Sequence, residues 1–256
     1  MTVGFTSSQI VIFLVVLARV SGLILSAPVL GDPQVPRPVK AGLAVILSLV
    51  LVGVPSVARA HVPVDVGPFA LLIVAQLVIG VVLGFIARTL FFAMQVAGQI
   101  ASLQTGLSTA AVLNPLTRQP DQIVTQFYTI VAVLTFLAVQ GDQWLVASLA
   151  RSFDLAPLTA SALSPSFLNA ALNAAIGVTA IGLQISLPLA ASLFAANLIL
   201  GVVSRALPQL NVFVLSMPLD LLLGLVALIG GLAAMIIVIG RLDAGLPQLM
   251  LGSFGQ

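Results

Sequence analysis

Long runs without a charged residue limit this chain more than any motif does. Val66–Ala87 holds 22 uncharged residues, Gln122–Gly141 and Leu221–Gly240 hold 20 each, and Leu155–Ser204 holds 50. About 20 apolar residues wound as a helix cross a hydrocarbon core of about 30 Å. The longest run has room for two passes, with Pro157, Pro165 and Pro188 available to turn or kink it. Only 6% of the 256 residues are charged, against about 25% in soluble domains. A water-facing surface cannot be made from so few. The chain therefore reads as all-α and polytopic, a single membrane domain over residues 1–256.

The charges also exclude several partners and chemistries. Glutamate is absent, all seven acids are aspartate, and the net charge is +2. No basic cluster is present, so nucleic-acid binding is not expected. Cysteine is absent and His61 is the single histidine, which leaves no thiolate or His-rich metal site. Carboxylate pairs at helical spacing, a serine–histidine set and a phosphate-cradling glycine loop are missing too. The sequence thus implies no enzyme and no cofactor. Before its first apolar stretch the N-terminus carries no positive charge, unlike a cleavable signal.

Along the chain, helices are expected over Ile10–Leu30, Val39–Val57, Phe69–Thr89, Ile123–Val139 and Leu219–Ile239. A further helical region, Leu168–Leu187 with Leu189–Val203, is expected to kink or break at Pro188. Leu90–Gln104 is rich in small residues. The proline-rich Gly31–Pro38 reads as a stiff, extended link. Gly141–Asp154 is mixed, with Trp144 as an interface anchor. Positive residues stand singly, and four of them sit near an aspartate (Arg37, Arg118, Arg151 and Arg241), so the loops give no orientation.

Four charges lie in or beside apolar segments: Arg19, Arg88, Arg205 and Asp220. At a helix centre each costs about 2.5–3.5 kcal/mol on insertion scales. Arg88 and Asp220 read as segment-edge residues that snorkel. Arg19 has charge-free sequence on both sides and is the candidate for a buried role. Small residues form the other pattern: Gly80 and Gly84 as GxxxG, Ala190, Ala191, Ala195, Ala196 and Gly201, then Gly224, Gly230 and Gly231. Lipid supplies no hydrophobic force between helices, so close backbone approach must hold them. By pattern alone these faces read as internal packing, with docking to other subunits the alternative. The loop Gly106–Pro120 is apolar and rich in helix breakers. At membrane depth it would line or block a cavity; outside, it would be a hydrophobic connector.

The ordered blocks resemble one family. Arg19-Val20-Ser21-Gly22, Ala27-Pro28-Val29-Leu30-Gly31 and Val35-Pro36 come first. Gly84-Phe85, Ala97-Gly98-Gln99-Ile100 and Gln104-Thr105-Gly106-Leu107 follow. The most specific block is Asn197, Gly201 and Ser204-Arg205, then Pro208-Gln209-Leu210-Asn211-Val212-Phe213 and Pro218. Together they resemble the FliR/SctT family of type III export-gate subunits, closer to its flagellar members.

The resemblance implies a non-enzymatic subunit, present once in a helical hetero-oligomer with FliP-type and FliQ-type subunits. That assembly is the channel through which unfolded export substrates leave the cytoplasm. FlhB-type and FlhA-type subunits adjoin it in the bacterial inner membrane, at the flagellar basal body. Helical hairpins are expected, with residues 1–165 FliP-like and 166–256 FliQ-like. Arg19, Gly98, Gln99, Asn197, Arg205, Pro208, Gln209, Asn211 and Phe213 are implied as assembly or structural residues.

The loop is implied as a channel plug, through Gly106, Leu107, Ala110, Ala111, Val112, Leu113, Asn114, Pro115 and Leu116. It departs from the family pattern in lacking bulky aromatics and in having Asn114-Pro115 where Asp-Pro is common. Gly141-Asp142 stands where Gly-His is frequent. The resemblance also moves the small-residue faces from internal packing towards inter-subunit docking. The alternative function is a small polytopic transporter acting alone, embedded in membrane lipid.

Overall fold

The computed structural model describes residues 7–58, 62–63, 65–104, 122–158 and 165–206, with Pro218, Leu219, Leu222 and Val226. Among the described residues all regular structure is helical. The helices are α1 (Ser7–Ser26), α2 (Arg37–Val52), the single turn α3 (Pro55–Ala58), α4 (Val66–Gln104), α5 (Gln122–Ala138), α6 (Gly141–Leu155) and α7 (Pro165–Ala206). Two of them are long and apolar enough to cross a membrane, or up to four if each bent pair counts as one span. The expected helix Leu219–Ile239 and the loop Gly106–Pro120 lie outside the described residues.

Several elements differ from expectation for identifiable reasons. Arg88 does not end a helix: α4 runs 39 residues through it, about 58 Å at 1.5 Å per residue. Arg88 is thus interior and half-buried rather than at an edge. Gly141–Asp154, expected to be mixed, is helix α6, entered through Gln140 in the left-handed region (φ 60°). The Gly31–Pro38 link is folded, not extended. Gly31 N–H donates to Ala27 O (2.9 Å) and Val35 N–H to Asp32 O (3.1 Å). Asp32 Oδ1 accepts from Gln34 N–H (2.8 Å) and Asp32 O from Lys40 Nζ (2.8 Å). The Asp side chain mimics a backbone turn, and the prolines fit it: Pro36 is the N-cap of α2 and Pro38 lies in its first turn, where no intrahelical N–H is needed. Helix α2 stops at Val52 rather than Val57, because Pro55 starts the new turn α3.

The chain divides into two compact units. The first comprises residues 1–89, 140–175 and 243–256; the second comprises 90–139 and 176–242. In the first, α1 packs on α2, and α1 also crosses the N-terminal part of α4. Its core holds Val16, Val20, Leu23, Ile24, Ile79, Leu83, Leu149 and Phe153. In the second, Phe91 of α4 meets Phe136 of α5 edge to face, with ring centroids 5.6 Å apart, a favoured aromatic geometry. Met94, Ala97 and Ala101 are buried there with Tyr128 and Ala132. Pro188 kinks α7 by 48°, as loss of an intrahelical hydrogen bond requires. Ser192 Oγ donates to the Pro188 carbonyl at the kink (2.8 Å).

Candidate functional site

The first unit contains a buried charge. Arg19 lies near the middle of the Gln9–Ser26 span and is 0% exposed. Its Nε donates to Gln76 Oε1 of α4 (2.6 Å). Its Nη1 donates to Ser152 O (2.9 Å) and Ser152 Oγ (3.1 Å), and its Nη2 to Ala156 O (2.8 Å), at the C-terminal end of α6. The guanidinium carbon sits 4.2 Å from the Phe153 ring centroid, within cation–π reach. No carboxylate is among these partners. The compensating charge is the partial negative end of α6, where Ser152 O also accepts from Ala156 N–H (2.9 Å) and Ala156 O lies just past the helix.

Gln76 completes the arrangement. Its amide nitrogen donates to Leu158 O (2.9 Å) while its oxygen accepts from Arg19. The two bonds fix the amide orientation. Ser152 Oγ in turn donates to Leu149 O (2.7 Å), which leaves its lone pairs for Arg19. Sequence reading identified Arg19 and missed Gln76, Ser152 and Phe153 as its partners. One signal existed: Gln76 is the only polar side chain in Val66–Ala87.

Glycines set the distance between α1 and α4. A Cβ on Gly80 would collide with the Arg19 carbonyl, and one on Gly22 with the Leu77 carbonyl. Gly84 lies against Ser26 Oγ and the backbone of Leu23 and Ala27. Only glycine allows such approach. The GxxxG therefore serves packing inside the chain, which corrects the expectation of inter-subunit docking for Gly80 and Gly84. The implied assembly residue Gly98 is also used internally, since its Cβ position falls on the Thr125 backbone of α5. Gly182 packs likewise against Ala93 and Val96.

Helix α7 is different. Gly182, Ser186 and Leu193 are buried along one narrow stripe. Around them Leu172, Ile176, Leu183, Leu187, Phe194, Leu198, Ile199 and Val202 are exposed, Phe194 at 63%. A Cβ on Gly201 would meet nothing. Asn197 and Arg205 are exposed on this helix, and Gln99 on α4. Asn197 and Arg205 thus share α7 in the second unit, and Arg19 belongs to α1 in the first. Pro208, Gln209, Asn211, Phe213 and the plug residues Gly106–Leu116 lie outside the described residues.

The chain matches the family described as bacterial export proteins, family 1, over residues 10–244. It is 36% identical over 210 residues to the flagellar biosynthetic protein FliR of Escherichia coli (strain K12), covering 82% of this chain and 79% of that one. Against FliR of Pectobacterium carotovorum subsp. carotovorum it is 34% identical over 217 residues, covering 82% and 80%. Against FliR of Bacillus subtilis (strain 168) the identity is 30% over 242 residues, covering 89% and 88%.

Proposed function

This chain belongs to the bacterial export proteins, family 1, a family of flagellar biosynthesis and export, and on that premise we propose that it is a non-enzymatic subunit of the flagellar type III export gate. It acts with FliP-type and FliQ-type subunits as the channel for unfolded export substrates. The assembly sits in the inner membrane at the basal body, next to FlhB-type and FlhA-type subunits.

The observation that supports this reading is the apolar exposure of α7. Its 42 residues rise about 63 Å, roughly twice a hydrocarbon core. Its large apolar side chains are exposed around most of the helix. Lipid alone cannot cover such a length in one pass, so neighbouring protein is the natural cover. The proposed division into a FliP-like part, residues 1–165, and a FliQ-like part, residues 166–256, falls where α7 begins at Pro165. Asn197, Arg205 and the block Pro208, Gln209, Asn211 and Phe213 act in assembly.

Co-expression with FliP-type and FliQ-type subunits, followed by native mass spectrometry, tests the proposal. A complex holding one copy of this chain is the expected mass. Recovery of the chain alone, with solute transport by that chain in liposomes, would favour a self-sufficient transporter instead.

A further inference from the structure

We propose that the node around Arg19 is a guanidinium site made from helix-end oxygens, filled in cis by Arg19, whose charge rather than bulk keeps the end of α6 docked. The inference concerns the first unit alone and does not depend on the proposed export role.

Helix α6 has 15 residues, about 22 Å, too short to cross a bilayer core. Its C-terminal turn ends inside the unit, beside the middle of α1. Ala156 and Leu158 are buried just past that turn, at 7% and 1% exposure. Their carbonyls lie beyond the helix ladder, where a buried acceptor needs a donor. In discontinuous membrane helices such carbonyl ends hold a cation. Here the groups facing the guanidinium are Gln76 Oε1, Ser152 O, Ser152 Oγ and Ala156 O. All of them accept, and Phe153 offers its ring face. A neutral side chain of equal volume would fill the space but take these donors away, leaving Ser152 O only the Ala156 N–H (2.9 Å). A compact ammonium would supply charge without the planar fork that reaches two turns of α6 and Gln76 at once.

The test uses the full-length chain in membranes of a host carrying the rest of the export apparatus. Because cysteine is absent, Ala156→Cys gives one reporter at a residue that lends the node only backbone groups, its carbonyl to Arg19 and its N–H to Ser152 O. Trp144→Cys, 52% exposed on α6, normalises the maleimide labelling rate. Arg19→Met should speed labelling at position 156 by about tenfold or more, as expected for charged hydrogen bonds lost from a buried site. Arg19→Lys should fall between Met and the parent. In Arg19→Ala, millimolar ethylguanidinium should restore protection and the neutral isostere ethylurea should not.

Protection in Arg19→Met equal to the parent overturns the proposal. So does rescue by ethylurea as strong as by ethylguanidinium, or failure of ethylguanidinium to rescue a folded Arg19→Ala chain. If Arg19→Ala does not fold, the Lys and Met variants still decide, and equal labelling of the two rejects the role of charge.

Discussion

At the scale of residues, the same amino acid has opposite consequences at different sites. Gly80 stands against the Arg19 carbonyl, whereas a Cβ on Gly42 of α2 would meet nothing. Gly80→Ala should therefore destabilise the chain by about 1–3 kcal/mol, the usual cost of overpacking. Gly42→Ala should stabilise it by about 0.5–1 kcal/mol through lower backbone entropy. Thermal unfolding in one detergent checks both, and a fall for Gly42→Ala would reveal a neighbour on that face. Pattern could not separate these two glycines, because GxxxG reads alike whether the facing helix belongs to the same chain or another. Arg19 was legible, since it is the only charge before Asp32 and a lone buried charge must find partners. Its partners were not. Gln76 and Ser152 lie 57 and 133 positions away, and nothing local in the sequence joins them.

At the scale of elements, apolar length predicted where helices occur but not where they stop. Thr89 was an expected end because Arg88 follows a charge-free run. The helix continues because one half-buried arginine interrupts neither its hydrogen bonds nor its apolar faces. Of the two outcomes expected at Pro188, a kink or a break, the helix takes the kink, since a proline inside a helix removes a donor wherever it falls. The Gly31–Pro38 link was misread because proline content was weighed without Asp32, whose side chain folds the turn. Helix α7 carries the prediction for this scale. Phe194 and Arg205 are exposed on it, so neither Phe194→Asp nor Arg205→Ala removes a buried contact within the described residues. Both should nevertheless lower recovery of the complex with the FliP-type partner several-fold in detergent pull-down, with protein levels in the membrane unchanged. Normal recovery of both variants would assign the exposed face of α7 to lipid.

At the scale of the whole molecule, the sequence speaks of burial without naming what does the burying. A 20-residue apolar run satisfies lipid, a partner helix or the chain's own core equally well. The structure resolves part of this: the glycine faces of α1 and α4 are used within the chain, and outside one buried stripe the large apolar side chains of α7 are exposed. A subunit of that kind fits an assembly in which neighbours complete the core. The same reasoning applies to the apolar loop, for which the family resemblance implies a plug. A closed pore must exclude ions yet yield to a passing polypeptide, and apolar constrictions do this by dewetting. Leu107, Ala110, Ala111, Val112, Leu113 and Leu116 are the apolar side chains that a plug of this kind would use. Deleting Leu107–Leu116 in the assembled complex should raise its ion conductance in planar bilayers while leaving the complex intact by native mass spectrometry. An intact complex with unchanged conductance and unchanged secretion would make the loop a connector. If the loop is the seal, its sequence gives it no aromatic ring, and Leu113→Ala alone should then raise the leak measurably, since few other large side chains remain to close the gap.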